Sequence, residues 1–193
     1  MEEKISMQEY LHSIRFYILF ISVLFIGSIA LGYMGFLSEI FSEPLEWIQQ
    51  LSENIQDFTH GYPSWIIFLA FFIVLFLNNS FTCFLDIISG PLIGIFPMFS
   101  AFINGGLLGG FAKEEGLKVF LAIVPHGIFE IPAFLFSAAI GLRLGREILK
   151  RKGERHLKKE LRKGLRVFLH LILPLLLIAA LIESVLIVIA LSF

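Results

Sequence analysis

Apolar residues fill five stretches of the chain, and each stretch is long enough to cross a ~30 Å hydrocarbon layer as a helix. The predicted membrane spans lie at about 16–37, 64–85, 91–111, 119–142 and 165–191. Because the stretches are continuously apolar and do not alternate, they predict helices and exclude the strands of a membrane barrel. The pattern predicts an all-α, polytopic membrane helix bundle, with residues 1–193 forming a single integral membrane domain.

The segment between the first two spans is too polar to cross a membrane. Over about 43–58, apolar residues recur at helical spacing, while the opposite face carries acids and amides. The apolar positions are Trp47, Ile48, Leu51, Ile55 and Phe58. We therefore expect an amphipathic helix that lies on the membrane surface or caps the bundle.

Charge is distributed unevenly along a chain that is 57% hydrophobic and carries a net charge of −1. Eleven of its 15 Lys and Arg residues fall within 143–166, whereas 38–63 contains five acids and no Lys or Arg. The positive-inside rule makes 143–166 a cytoplasmic basic loop, not a nucleic-acid-binding segment. With five spans, the N-terminus is then expected in the cytoplasm and the C-terminus outside.

The fourth span contains two polar residues, His126 and Glu130, which share one helix face because they are four positions apart. An acid in a membrane helix costs about 2.5 kcal/mol or more, so such residues usually face a bundle interior. Other spans supply candidate partners at overlapping depths: Asn78, Asn79, Asn104 and Glu183. We expect these six residues to form a central polar cluster.

This cluster leaves several functions open. It could be the hydrogen-bonded core of a membrane scaffold or assembly protein, which is the reading the sequence favours. His126, Glu130 and Glu183 could also bind a divalent metal ion, as in an ion- or metal-binding transporter. An intramembrane metal-dependent hydrolase is a further alternative, although the sequence leans against an enzyme because neither a two-histidine zinc motif nor an activated nucleophile accompanies the cluster.

The third span is rich in small residues. Gly105, Gly106, Gly109 and Gly110 form two overlapping G-x-x-x-G pairs, a spacing typical of closely packed membrane helices. Such a face also makes a homodimer a candidate assembly. Pro97 lies earlier in the same span and predicts a kink or break there.

Several short motifs occur in a recognisable order. They are Asn78-Asn79, Gly90-Pro91-x-x-Gly94, Asn104-Gly105-Gly106 with Gly109-Gly110, Pro125-His126-Gly127-x-x-Glu130, Ala139-x-Gly141-x-x-x-Gly145 and Ile182-Glu183. Together they resemble the stage II sporulation protein M family over roughly 72–183. The resemblance implies a multi-pass protein of the cell membrane. It also implies a scaffold with membrane or extracytoplasmic protein partners, because the namesake holds two peptidoglycan-degrading proteins during engulfment in spore-forming bacteria.

Overall fold

A computed structural model describes residues 7–36, 46, 55, 59–116 and 118–192 of the chain. The helices are α1 (Met7–Ser13), α2 (Arg15–Met34), α3 (Ser64–Ile88), α4 (Ile95–Glu115), α5 (Val119–Leu149), α6 (Leu157–Val167) and α7 (Leu173–Ala190). The predicted amphipathic helix over 43–58 lies outside the described residues, apart from Glu46 and Ile55, which are both helical.

Within the described part of the chain, five helical stretches are long and apolar enough to span a membrane. They are Arg15–Met34, Ser64–Ile88, Ile95–Glu115, Phe120–Leu149 and Leu157–Ala190. Large apolar side chains such as Phe16, Trp65 and Leu121 point outward, as expected where the surroundings are lipid. The prediction of an all-α polytopic membrane bundle is therefore confirmed.

Pro97 does not break the third span, contrary to the prediction. Helix α4 begins at Ile95, so Pro97 occupies its first turn, where the missing N–H has no partner within the helix to lose. The preceding residues 89–94 form a tight turn, in which Ile93 and Gly94 both have positive φ. The third span is thus displaced toward the C-terminus relative to the predicted 91–111.

The basic segment 143–166, predicted to be a cytoplasmic loop, is mostly helical. Its first part extends α5 to Leu149, its last part belongs to α6, and only a short connection with a 3-10 turn at Lys152–Glu154 separates them. Two acids in the segment, Glu147 and Glu160, are almost fully buried. Both are ion-paired with neighbouring basic side chains, which offsets part of the cost of burying their charges.

Helix α5 is the central element, since it contacts α2, α3, α4 and α7. The most extensive pairing joins α2 to α4. There Gly105 packs against Ser28 and Phe25, and Gly109 packs against the backbone of Ile29, with no room for a Cβ atom at either glycine. The glycines of α4 thus permit the backbone-to-backbone approach that stabilises membrane helix pairs.

A second backbone contact fixes α5 against the turn between α3 and α4. A Cβ atom on Gly141 would overlap the carbonyl oxygen of Asp86, and one on Gly145 would overlap the backbone of Gly94. Helix α3 packs mainly on α7 and α5, whereas α4 packs mainly on α2, so α3 and α4 contact each other little although they are consecutive in sequence.

The last span continues from α6 into α7 through a π-helical segment, Phe168–Ile172. Pro174 is the second residue after this segment, and its ring would crowd the carbonyl group four residues earlier in a regular helix. The wider π turn gives that carbonyl group room, so the helix passes the proline without ending.

An intramembrane polar cavity as candidate functional site

A cavity of about 280 Å³ lies among the membrane helices, lined from α2, α3, α4, α5 and α7. All six residues of the predicted polar cluster line it: Asn78, Asn79, Asn104, His126, Glu130 and Glu183. Four helices, α3, α4, α5 and α7, therefore bring these side chains to one place. What the cluster binds stays a prediction.

His126, Glu130 and Glu183 form the most compact part of the cavity. Each offers one ligand atom, and these atoms all lie within 4.8 Å of one another. His126 and Glu130 come from successive turns of α5, and Glu183 comes from α7, so the set depends on the packing of these two helices. All three residues are half-buried.

Two atoms of this triad lack a hydrogen-bond partner among the described residues. They are Nδ1 of His126 and Oε2 of Glu183, and both are inaccessible to solvent. A buried polar atom without a partner costs about 1–3 kcal/mol, so such atoms usually meet a ligand, an ion or ordered water. The triad therefore has unused capacity to bind.

The amide side chains form the more open part of the cavity. Asn78 and Asn104 are both exposed, and each makes a local hydrogen bond. The amide of Asn78 donates to Oδ1 of Asn79 at 3.3 Å, and that of Asn104 donates to the carbonyl of Ser100 at 2.8 Å. Each amide retains further donor or acceptor capacity for a bound molecule.

Apolar residues enclose the polar side chains. Phe25 of α2 and Phe134 of α5 both line the cavity, and their ring centroids are 5.8 Å apart. Leu176 and the buried Cys83 complete this part of the wall. Low surrounding polarity strengthens electrostatic attraction between the triad and a cation, because bulk water screens the charges less.

A further buried acid, Asp86, was not among the predicted site residues. The second span was predicted to end at about residue 85, but α3 continues to Ile88 and Asp86 is fully buried inside it. Its Oδ2 lies 3.3 Å from the hydroxyl of Ser137, which also donates to the carbonyl of Phe134 at 2.7 Å. The only sequence signal was an acid at the end of an apolar run, and this pattern is also typical of the end of a helix.

Fold and site together define a polytopic helical membrane protein with a polar cavity inside its bundle. The family described as stage II sporulation protein M matches residues 16–186, almost the whole chain. The chain belongs to the stage II sporulation protein M family, which confirms the resemblance drawn from its motifs.

One relative is an uncharacterised protein of Methanocaldococcus jannaschii, which is 32% identical over 134 residues. The alignment covers 65% of this chain and 57% of the relative, so the chain spans little more than half of that protein's length. No solved structure matches the chain.

Proposed function

We propose that this chain is a membrane scaffold or assembly protein whose bundle is organised around a divalent metal ion bound by His126, Glu130 and Glu183. The observation that carries the metal site is the convergence of one imidazole and two carboxylates within 4.8 Å. The scaffold role is supported by family membership and by a polar core that links α5 to α7.

The spacing of the triad suits a transition metal ion after small side-chain movements. An ion centred among atoms 4.8 Å apart would lie about 2.8 Å from each, so shifts of about 0.7 Å would reach zinc–ligand distances of about 2.0–2.1 Å. One imidazole nitrogen with carboxylate oxygens suits Zn²⁺ or Mn²⁺ better than ions that prefer thiolates. A bound cation would also give the partnerless atoms of His126 and Glu183 a partner.

The proposed orientation places the basic end of α5 in the cytoplasm. Arg143, Arg146 and Lys150 lie at that end, together with the basic residues of α6. The positive-inside rule then puts the C-terminus outside, and the protein partners of the scaffold would be membrane or extracytoplasmic proteins. Cysteine labelling of intact cells at Ser192 and at Arg151, after Cys83→Ala, would give the orientation directly.

Metal content is the first test of this proposal. Purified full-length chain, loaded with Zn²⁺ or Mn²⁺ and desalted, is expected to retain about one ion per chain by elemental mass spectrometry. His126→Ala should weaken retention by at least about tenfold, because it removes a direct ligand. Removing metal with a chelator should lower the melting temperature of the wild-type chain and leave that of the variant unchanged.

The matched control is His170→Ala, which removes an exposed histidine of the last span that does not line the cavity. It should leave metal content unchanged. A wild-type chain that retains no ion and ignores the chelator would contradict the metal site and leave the triad as a hydrogen-bonded core. The scaffold role is tested separately by cross-linking in native membranes, where a specific partner protein should be lost in His126→Ala and kept in His170→Ala.

A second candidate function is transport of the cation, favoured by the open amide side of the cavity. Asn78 and Asn104 are exposed and line the same cavity as the triad, which connects the triad with the surface of the bundle. Proteoliposomes containing a fluorescent Zn²⁺ sensor would measure flux. A transporter requires flux above empty liposomes that Glu130→Gln abolishes, and a scaffold requires none.

A further inference from the structure

A second cavity of about 570 Å³ lies at the basic end of the bundle, away from the polar cavity. Its walls come from the start of α2, the turn before α4, the first turn of α4 and the last turns of α5. These parts lie at one membrane face, because α2 and α4 start there and α5 ends there. The cavity is therefore expected at the level of the lipid headgroups.

The polar side of this cavity is positively charged. Three basic residues, Arg143, Arg146 and Lys150, line it together with a single carboxylate, that of Glu147. Glu147 is buried and already satisfied, since it pairs with Lys150 and accepts a hydrogen bond from the backbone N–H of His156 at 3.2 Å. Arg143 is also paired, with Glu160 outside the cavity, so among the described residues Arg146 is the cation of this cavity that has no acid partner.

Arg146 is the cation that is most available to a ligand. Its side chain is exposed, and in the described part of the chain it forms no salt bridge. Its Nη1 donates to the hydroxyl of Tyr17 at 2.8 Å, which orients the guanidinium group and leaves its other N–H donors unused. A guanidinium held in this way can bind a phosphate group through two parallel hydrogen bonds.

The remaining wall of the cavity is apolar and faces the surrounding lipid. Phe16, Phe20, Ile93 and Leu149 all line it, and all four side chains are exposed. An exposed apolar wall beside a cationic group suits a molecule with a hydrocarbon chain and an anionic head. A free inorganic anion would use only the cationic part.

We infer that this cavity binds the phosphate headgroup of an anionic phospholipid, with Arg146 as its principal ligand and Phe16, Phe20 and Leu149 beside the acyl chains. Basic pockets between membrane helices recognise anionic lipid headgroups through this combination of charge and apolar surface. The inference rests on charge complementarity and is independent of the proposed metal site.

Lipid competition tests the inference on the full-length chain in detergent. Unlabelled phosphatidylglycerol should displace fluorescent phosphatidylglycerol about tenfold more effectively than unlabelled phosphatidylcholine does. Arg146→Gln should remove most of this preference for phosphatidylglycerol, because it removes one charged contact with the phosphate group. Arg151→Gln is the matched control, because Arg151 is exposed in the same basic segment but does not line the cavity. It should leave the preference unchanged.

Two further arms separate charge from structure and lipid from free anion. Tyr17→Phe removes the hydroxyl that orients the guanidinium group but keeps its charge, so it should lower the preference for phosphatidylglycerol less than Arg146→Gln does. Equal effects of Arg146→Gln and Arg151→Gln would overturn the inference. Displacement of the labelled lipid by inorganic phosphate, but not by chloride at the same ionic strength, would also overturn it by identifying a free-anion site.

Discussion

Replacing Gly32 by valine is expected to prevent α2 from packing on α4. A Cβ atom at position 32 would overlap the carbonyl oxygen of Gly106 and lie 3.0 Å from the backbone nitrogen of Gly110. Overpacking of a core typically costs about 1–3 kcal/mol, and here the obstacle is backbone that no side-chain rotation can move aside. We expect a loss of more than about 3 kcal/mol, a large part of the stability of most proteins.

Gly27→Val is the matched control in the same helix. Gly27 is exposed, and a Cβ atom there would meet nothing within 4 Å. Size-exclusion chromatography and thermal melting in detergent should therefore show a monodisperse, wild-type-like protein for Gly27→Val and aggregation or a sharply lowered melting temperature for Gly32→Val. Similar behaviour of the two variants would show that the α2–α4 approach is not needed for stability.

Replacing Glu160 by glutamine is expected to destabilise the junction of α5 and α6. Glu160 is 5% exposed and accepts a charge-assisted hydrogen bond from Nε of Arg143 at 2.6 Å and another from Nζ of Lys163 at 2.7 Å. Both cations also lie over the ring of the buried Tyr10, at 5.5 and 5.8 Å from its centroid. Neutralising Glu160 leaves two partly buried cations close together without their acid, at a cost of about 2–3 kcal/mol.

The effect should extend to the N-terminal helices, because Arg143 also donates to the carbonyl and hydroxyl oxygens of Ser13 at 3.1 and 2.9 Å. Proteolysis near residues 13–15 should therefore accelerate in Glu160→Gln, alongside a lower melting temperature. Glu154→Gln is the control, since Glu154 is exposed in the 3-10 turn, and it should change stability by no more than about 0.5 kcal/mol. Equal melting temperatures for the two variants would contradict the structural role of the ion pairs.

The polar cavity was largely foreseeable from sequence, and the reason is energetic. Polar residues are so costly in hydrocarbon that Asn78, Asn104 and Glu183 were expected to turn toward a common cavity and away from lipid. The i,i+4 spacing of His126 and Glu130 also guaranteed a common helix face. The distances within the triad were not foreseeable, because they depend on how α7 packs against α5.

The buried acids were harder to identify. Glu147 and Glu160 stand among Lys and Arg residues, where a solvated helix and a buried ion-pair network have the same local sequence. Their burial required α6 to pack back against α5, which places Gly164 on the side chain of Ile140. Asp86 was missed for a related reason, since a predicted span end is accurate to only a few residues and Asp86 lay within that margin.

The sequence by itself determined the membrane class, the five spans, the family and the composition of the polar cluster. Each of these depends on local hydropathy, helical spacing or short motifs, which act over a few turns of chain. Tertiary structure decided which helices pair, how the triad converges and which charged residues are buried. Those outcomes depend on contacts between residues distant in sequence, where one glycine at a crossing sets how closely two helices approach.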